Sequence, residues 1–144
     1  MRVGHLDLAL DYLTEAATVD LRDRYQNTRD GLRMASLAGT WIALVEGFGG
    51  RRLVAEQLHL DPQLPTTLTR LAFRLRWRGQ RLRVEVRPGN VTLSLADPGT
   101  LQVVVAGQPV QIDHRKPKVL PWRRREPLLP RPPQPAGRAP LRES

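Results

Sequence analysis

The sequence predicts an α+β chain: two helices, then a small antiparallel β-sheet or sandwich, then a disordered tail rich in Pro and Arg. Three observations carry that reading. Up to Glu46 the apolar residues recur with a helical period. From Leu71 they recur at every second position, the period of a strand with one buried face. After residue 115, eight of the 13 prolines fall in one stretch with eight basic residues. Such a segment lacks backbone donors and repels itself. The changes of period and composition divide the chain into a helical unit at 1–50, a sheet domain at 51–115 and a tail at 116–144.

The first helix covers 5–18. Leu6, Ala9, Leu10, Leu13, Ala16 and Ala17 share one side, and Asp7, Asp11 and Glu15 the other. Thr18 to Gly31 is polar and reads as a loop. The second helix runs from Leu32 to Glu46, with Asp30 as N-cap and the run Gly47 to Gly50 as its stop. It is apolar nearly all round, so it belongs among other elements. One partner helix cannot shield Trp41, Ile42, Leu44 and Val45 together, so residues 1–50 are expected to pack loosely or to associate with other chains, while about 51–115 stay folded.

The strands come next. Leu71, Phe73, Leu75 and Trp77 alternate with Arg70, Arg74, Arg76 and Arg78. After Gly79-Gln80, Leu82, Val84 and Val86 alternate with Arg81, Arg83, Glu85 and Arg87. Pro88-Gly89-Asn90, Asp97-Pro98-Gly99 and Gly107-Gln108-Pro109 are turn signals. They separate strands around Val91 to Leu95, Leu101 to Ala106 and Val110 to Ile112, and Leu58 to Leu60 offers a further one.

Several function classes drop out. The 144 residues contain no Cys, which excludes disulfides, thiolate metal sites and a Cys nucleophile. His5, His59 and His114 lack any metal-ligand spacing, so no metal is expected. The start is not a signal peptide and the apolar run from Met34 to Val45 is too short to span a bilayer, so a soluble, cytoplasmic chain without membrane contact is expected. No Gly-rich loop precedes a helix, and Asp20, Asp23 and Asp30 stand in a loop without a cleft. Ser36 sits in an apolar helix without the glycines of a nucleophile elbow and reads as a small packing residue.

The formal charge of +9 is uneven: residues 1–50 carry −2, 51–115 carry +5 and 116–144 carry +6. A basic module that binds nucleic acid or another polyanion through residues 51–144 is therefore the second function to weigh. Phe73 and Trp77 alternate away from the arginines, which argues against the interleaved aromatics of a single-strand binder.

Two segments carry a resemblance. Asn27-Thr-Arg-Asp-Gly-Leu-Arg-Met-Ala-Ser-Leu-Ala-Gly-Thr-Trp41 and Val45-Glu-Gly-Phe-Gly-Gly-Arg51 come first. Leu64-Pro65, Leu68-Thr-Arg-Leu-Ala-Phe-Arg-Leu-Arg-Trp-Arg-Gly79 and Leu82-Arg-Val-Glu-Val86 follow. In this order they resemble glycoside hydrolase family 65, from the end of its catalytic barrel into its C-terminal β-domain, over about residues 4–115.

The resemblance implies an inverting α-glucoside phosphorylase or hydrolase acting on disaccharides such as trehalose, maltose or kojibiose. A Glu general acid protonates the glycosidic oxygen while phosphate, or water in the hydrolases, attacks the anomeric carbon. No cofactor is implied; inorganic phosphate is the co-substrate of a phosphorylase. The two helices would be a remnant of an (α/α)6 barrel, and the general acid lies upstream, so no catalytic residue is assigned. The chain is expected to be a C-terminal fragment, inactive alone, whose partner is the missing upstream part of the enzyme. Arg33 stands where the family usually has His, beside the phosphate pocket, and Ser36 would sit on the rim; these two are the candidate substrate- and phosphate-binding residues.

Overall fold

A computed structural model describes residues 4–18 and 34–140. Helix α1 spans Leu6–Thr18 and α2 spans Met34–Ile42. Eight strands follow: β1 Arg52–Val54, β2 Gln57–Leu60, β3 Leu71–Trp77, β4 Gln80–Arg87, β5 Asn90–Leu95, β6 Thr100–Val105, β7 Gln108–Asp113 and β8 Lys118–Pro121. The expected α+β order holds. Arg33 and the expected N-cap Asp30 lie outside the described residues.

The second helix does not stop at Glu46. It widens into a π-helical turn over Ala43–Phe48, closed by Gly49 N–H donating to the Leu44 carbonyl at 2.8 Å. The wider turn sends Val45 and Phe48 into the core, where they are 1% and 0% exposed. The α2 face behaves otherwise: Leu37, Trp41 and Ile42 are 52%, 45% and 49% exposed. The expectation of a poorly covered helix holds for these residues, while Val45 is fully covered by the sheet domain.

The strands form two four-stranded sheets, ordered β1-β2-β6-β7 and β3-β4-β5-β8. Alternation decides which side is buried. Phe73, Leu82, Val84, Val86, Val91 and Leu93 of one sheet meet Leu58, Leu60, Val103, Val105 and Ile112 of the other in one buried cluster. Arg78-Gly79 turns with φ of 47° and 80° and Ala106-Gly107 with 48° and 80°, the twist that suits two-residue hairpins.

Two differences from the expected sheet have topological causes. β2 pairs with β6 in parallel, His59 opposite Val104 and Leu60 opposite Val105. A parallel partner needs a crossover, and the intervening residues supply it by building β3, β4 and β5. The tail from 116 was expected to be disordered, yet Lys118–Pro121 pairs with β5 and Trp122 is 8% exposed. Here the ladder to β5, the buried Trp122 and Leu120 packed against the core hold the segment against the prolines around it, while Val119 stays 60% exposed. Residues 122–140 continue without helix or strand and run back over α1.

Candidate functional site

Three places merit attention: the start of α2, a cleft at its far end, and the arginine face of β3 and β4. Arg33 lies outside the described residues. The backbone of Ser36 is in the first turn of α2, and its side chain is outside the described set.

The cleft has a volume of about 610 Å³. Ile42, Glu46 and Gly50 at the end of α2, Arg51, Arg52, Asp61 and Gln63 of the sheet domain, and Arg125, Glu126 and Leu128 of the C-terminal segment line it. Arg51 Nη1 reaches Glu46 Oε1 at 2.8 Å, Arg52 Nη2 lies 3.5 Å from Asp61 Oδ2, and Arg125 pairs with Asp61 Oδ1. Gln63 fixes the C-terminal segment, donating to the Arg123 carbonyl at 3.0 Å and accepting from Arg125 N–H at 2.9 Å. Of the three carboxylates in the lining, Glu46 and Asp61 are thus held by arginines. The cleft is built as a joint between helix, sheet and tail, and Glu46 holds Arg51 rather than a reacting atom. Sequence reasoning missed Asp61, Gln63 and Arg125; only the apolar residues around Trp122 signalled that the tail would return to this place.

The arginine face is charged as the alternation predicts. Glu85 accepts from Arg70 at 3.1 Å, Arg83 at 2.9 Å and Arg87 at 2.8 Å. Asp97 accepts from Arg81 Nε and Nη2 at 3.0 and 2.7 Å, and from its backbone N–H at 2.7 Å. Arg78 lies 5.9 Å from the Trp77 ring centroid. Hydrogen bonds from Arg70, then Arg83 and Arg87, pull the Glu85 carboxyl from 4.5 to about 2, and those from Arg81 lower Asp97.

A pH dependence follows. Glu85 stays ionised in the fold where the unfolded chain already binds a proton, so its contribution is present above about pH 4.5 and is lost as pH falls towards about 2. Denaturant midpoints at about pH 5 and about pH 3 should therefore fall further for the natural chain than for Glu85→Gln. Equal falls in both would remove the assignment.

No group of three His, Asp or Glu side chains able to hold a metal occurs among the described residues. No described helix is long and apolar enough to cross a membrane.

Comparison with known proteins places the pieces. The profile of the glycosyl hydrolase family 65 central catalytic domain matches residues 1–42, and that of the glycosyl hydrolase family 65 C-terminal domain matches 52–112. An uncharacterized glycosyl hydrolase of Mycobacterium tuberculosis is 56% identical over 141 residues, 96% of this chain and 18% of that protein. The α,α-trehalose phosphorylase of Thermoanaerobacter brockii is 36% identical over 118 residues, 82% of this chain and 14% of that protein. A solved structure described as a kojibiose phosphorylase from the human microbiome superposes with a TM-score of 0.69 at 25% identity, covering 77% of this chain and 14% of the other. The chain thus spans less than a fifth of the length of these proteins.

Proposed function

The chain belongs to glycosyl hydrolase family 65, and on that premise we propose that it serves as the C-terminal part of an inverting α-glucoside phosphorylase or hydrolase. The observation that carries this reading is the uncovered face of α2. Leu37, Trp41 and Ile42 are about half exposed on a helix that falls inside the match to the family's catalytic domain. Each large apolar side chain left in water forfeits roughly 1.5–3 kcal/mol of burial. The covering surface is the remainder of that catalytic domain, which is the partner we assign to this face. Inorganic phosphate and an α-linked disaccharide are the substrates of the assembled enzyme. Arg33 binds phosphate with its guanidinium fork and Ser36 stands on the pocket rim. The general acid belongs to the upstream part; Glu15 and Glu46 match no catalytic motif, so the chain is inactive alone.

The test uses a chimaera in which this chain replaces the matching C-terminal segment of the Thermoanaerobacter trehalose phosphorylase. The chimaera should release glucose 1-phosphate from trehalose in the presence of phosphate, and the isolated chain should release neither glucose nor glucose 1-phosphate from trehalose, maltose or kojibiose. Release by the isolated chain above a buffer blank would overturn its assigned inactivity. A chimaera that folds, by its cooperative thermal transition, and stays inactive would overturn the assigned role.

A further inference from the structure

The arginine face holds a feature that neither the fold nor the family reading uses. Arg74 stands directly opposite Arg83, and Arg76 directly opposite Arg81, in consecutive same-face rows of β3 and β4. Like charges opposed across a ladder oppose folding. Arg83 is engaged by Glu85 and Arg81 by Asp97, whose charge Arg76 also feels from farther off, but among the described residues no carboxylate lies within 4 Å of the Arg74 or Arg76 guanidinium. Both are exposed, and β3 ends the strand order of its sheet, so the excess charge reaches the sheet's margin.

We propose that Arg74, Arg76, Arg81 and Arg83 form a docking surface for an extended, acidic segment of a protein partner. Glu85 shows what the surface accepts: a carboxylate carried on an extended strand gathers three guanidiniums at 2.8 to 3.1 Å. Same-face side chains of a strand recur at about 6.6–6.8 Å, so the two arginine rows match the spacing of alternate carboxylates in an extended ligand. The same charges repel a second copy of this face, which gives the surface its choice of partner. Nucleic acid fits less well. Phe73 is 8% exposed in the core and Trp77 is partly buried against that core, so neither ring stands between the four arginines of this face.

Fluorescence anisotropy of the full chain with a labelled peptide alternating Glu and Ser, and with a single-stranded oligonucleotide, tests the proposal. The peptide should bind at low salt and weaken as salt rises. Arg74→Glu combined with Arg76→Glu should weaken it about tenfold or more, while Arg123→Glu with Arg124→Glu in the tail should change it less than about twofold. Arg74→Gln with Arg76→Gln, which adds no new charge, should lie between the natural chain and the reversal. Absence of peptide binding at low salt, an equal loss from the tail variant, or tighter binding of the oligonucleotide would each overturn it.

Discussion

Gly50→Ala destabilises the chain by about 2–5 kcal/mol, a large part of the roughly 5–15 kcal/mol that holds a domain together. Gly50 follows the π-helical end of α2 with a φ of +64°, a conformation that costs a residue with a Cβ about 1–2 kcal/mol. A Cβ there would also stand 2.1 Å from the Asp61 carbonyl oxygen and 2.4 Å from its carbon. Both are backbone atoms, and neither can swing away as a side chain would. The Asp61 segment is pinned: Gln63 N–H donates to the Phe48 carbonyl at 2.8 Å, and the Asp61 carboxylate is held by Arg52 and Arg125. The clash must open the joint between helix and sheet, adding about 1–3 kcal/mol. Gly79→Ala is the control, because Gly79 has a φ of +80° but a Cβ added there would meet nothing within 4 Å. It should show the conformational cost alone. Thermal unfolding followed by circular dichroism should place Gly50→Ala about 10 °C or more below the natural chain. A midpoint equal to that of Gly79→Ala would mean that the Asp61 contact yields freely.

The central strands are legible because one-sided burial writes a period of two into the sequence. Phe73, Val84, Val86, Val91 and Leu93 are buried and their neighbours Arg74, Arg83, Arg87 and Thr92 face away, as alternation requires. β1 is not legible, because all three of its residues are exposed and it carries no alternation. Nor is the parallel pairing of β2 with β6, since a register between distant segments leaves no local trace. The tail misleads for a compositional reason: its prolines and arginines outweigh the four residues Val119 to Trp122 that hold it down. Of the candidate site, the exposed arginines are visible in the alternation, whereas Arg33 and Ser36 come only from resemblance. No charge pattern or spacing marks a phosphate pocket when most of its walls belong to other parts of the protein.

Trp122→Ala should cost about 3–5 kcal/mol and loosen the later turns of α1. The indole is 8% exposed, and its Nε1–H donates to the Arg87 carbonyl at 2.7 Å and the Asn90 carbonyl at 3.1 Å. Its own backbone N–H donates to the Gly89 carbonyl at 3.1 Å, so the residue clasps the β4–β5 turn from two sides. Everything the tail does afterwards depends on leaving from this point. Gln63 holds Arg123 and Arg125, Pro127 packs where Gly4 has no side chain, and the Tyr12 hydroxyl of α1 donates to Gln134 Oε1 and, at 3.2 Å, to the Arg138 carbonyl. Removing the indole leaves a cavity at the start of this path and frees two carbonyls. The hydrogen bonds that tie the tail to Gln63 and to Tyr12 are exposed polar contacts, each worth about 1 kcal/mol or less. Asp7 still accepts from Thr66 N–H at 2.6 Å and Oγ1 at 2.8 Å, and Leu6 stays in the buried core with Ala9, Leu10 and Leu13 packed against it, so α1 keeps its start on the sheet domain. Hydrogen exchange should then accelerate across 8–18 more than across β3 to β5. Tyr12→Phe, which cuts only the far tie, should accelerate the last turns of α1 and leave Trp122 and the β4–β5 turn unchanged. If Trp122→Ala lowers stability by less than about 1 kcal/mol, or if α1 keeps its full protection, the tail merely rests on the helix, and α1 is held by Asp7 and its own apolar face.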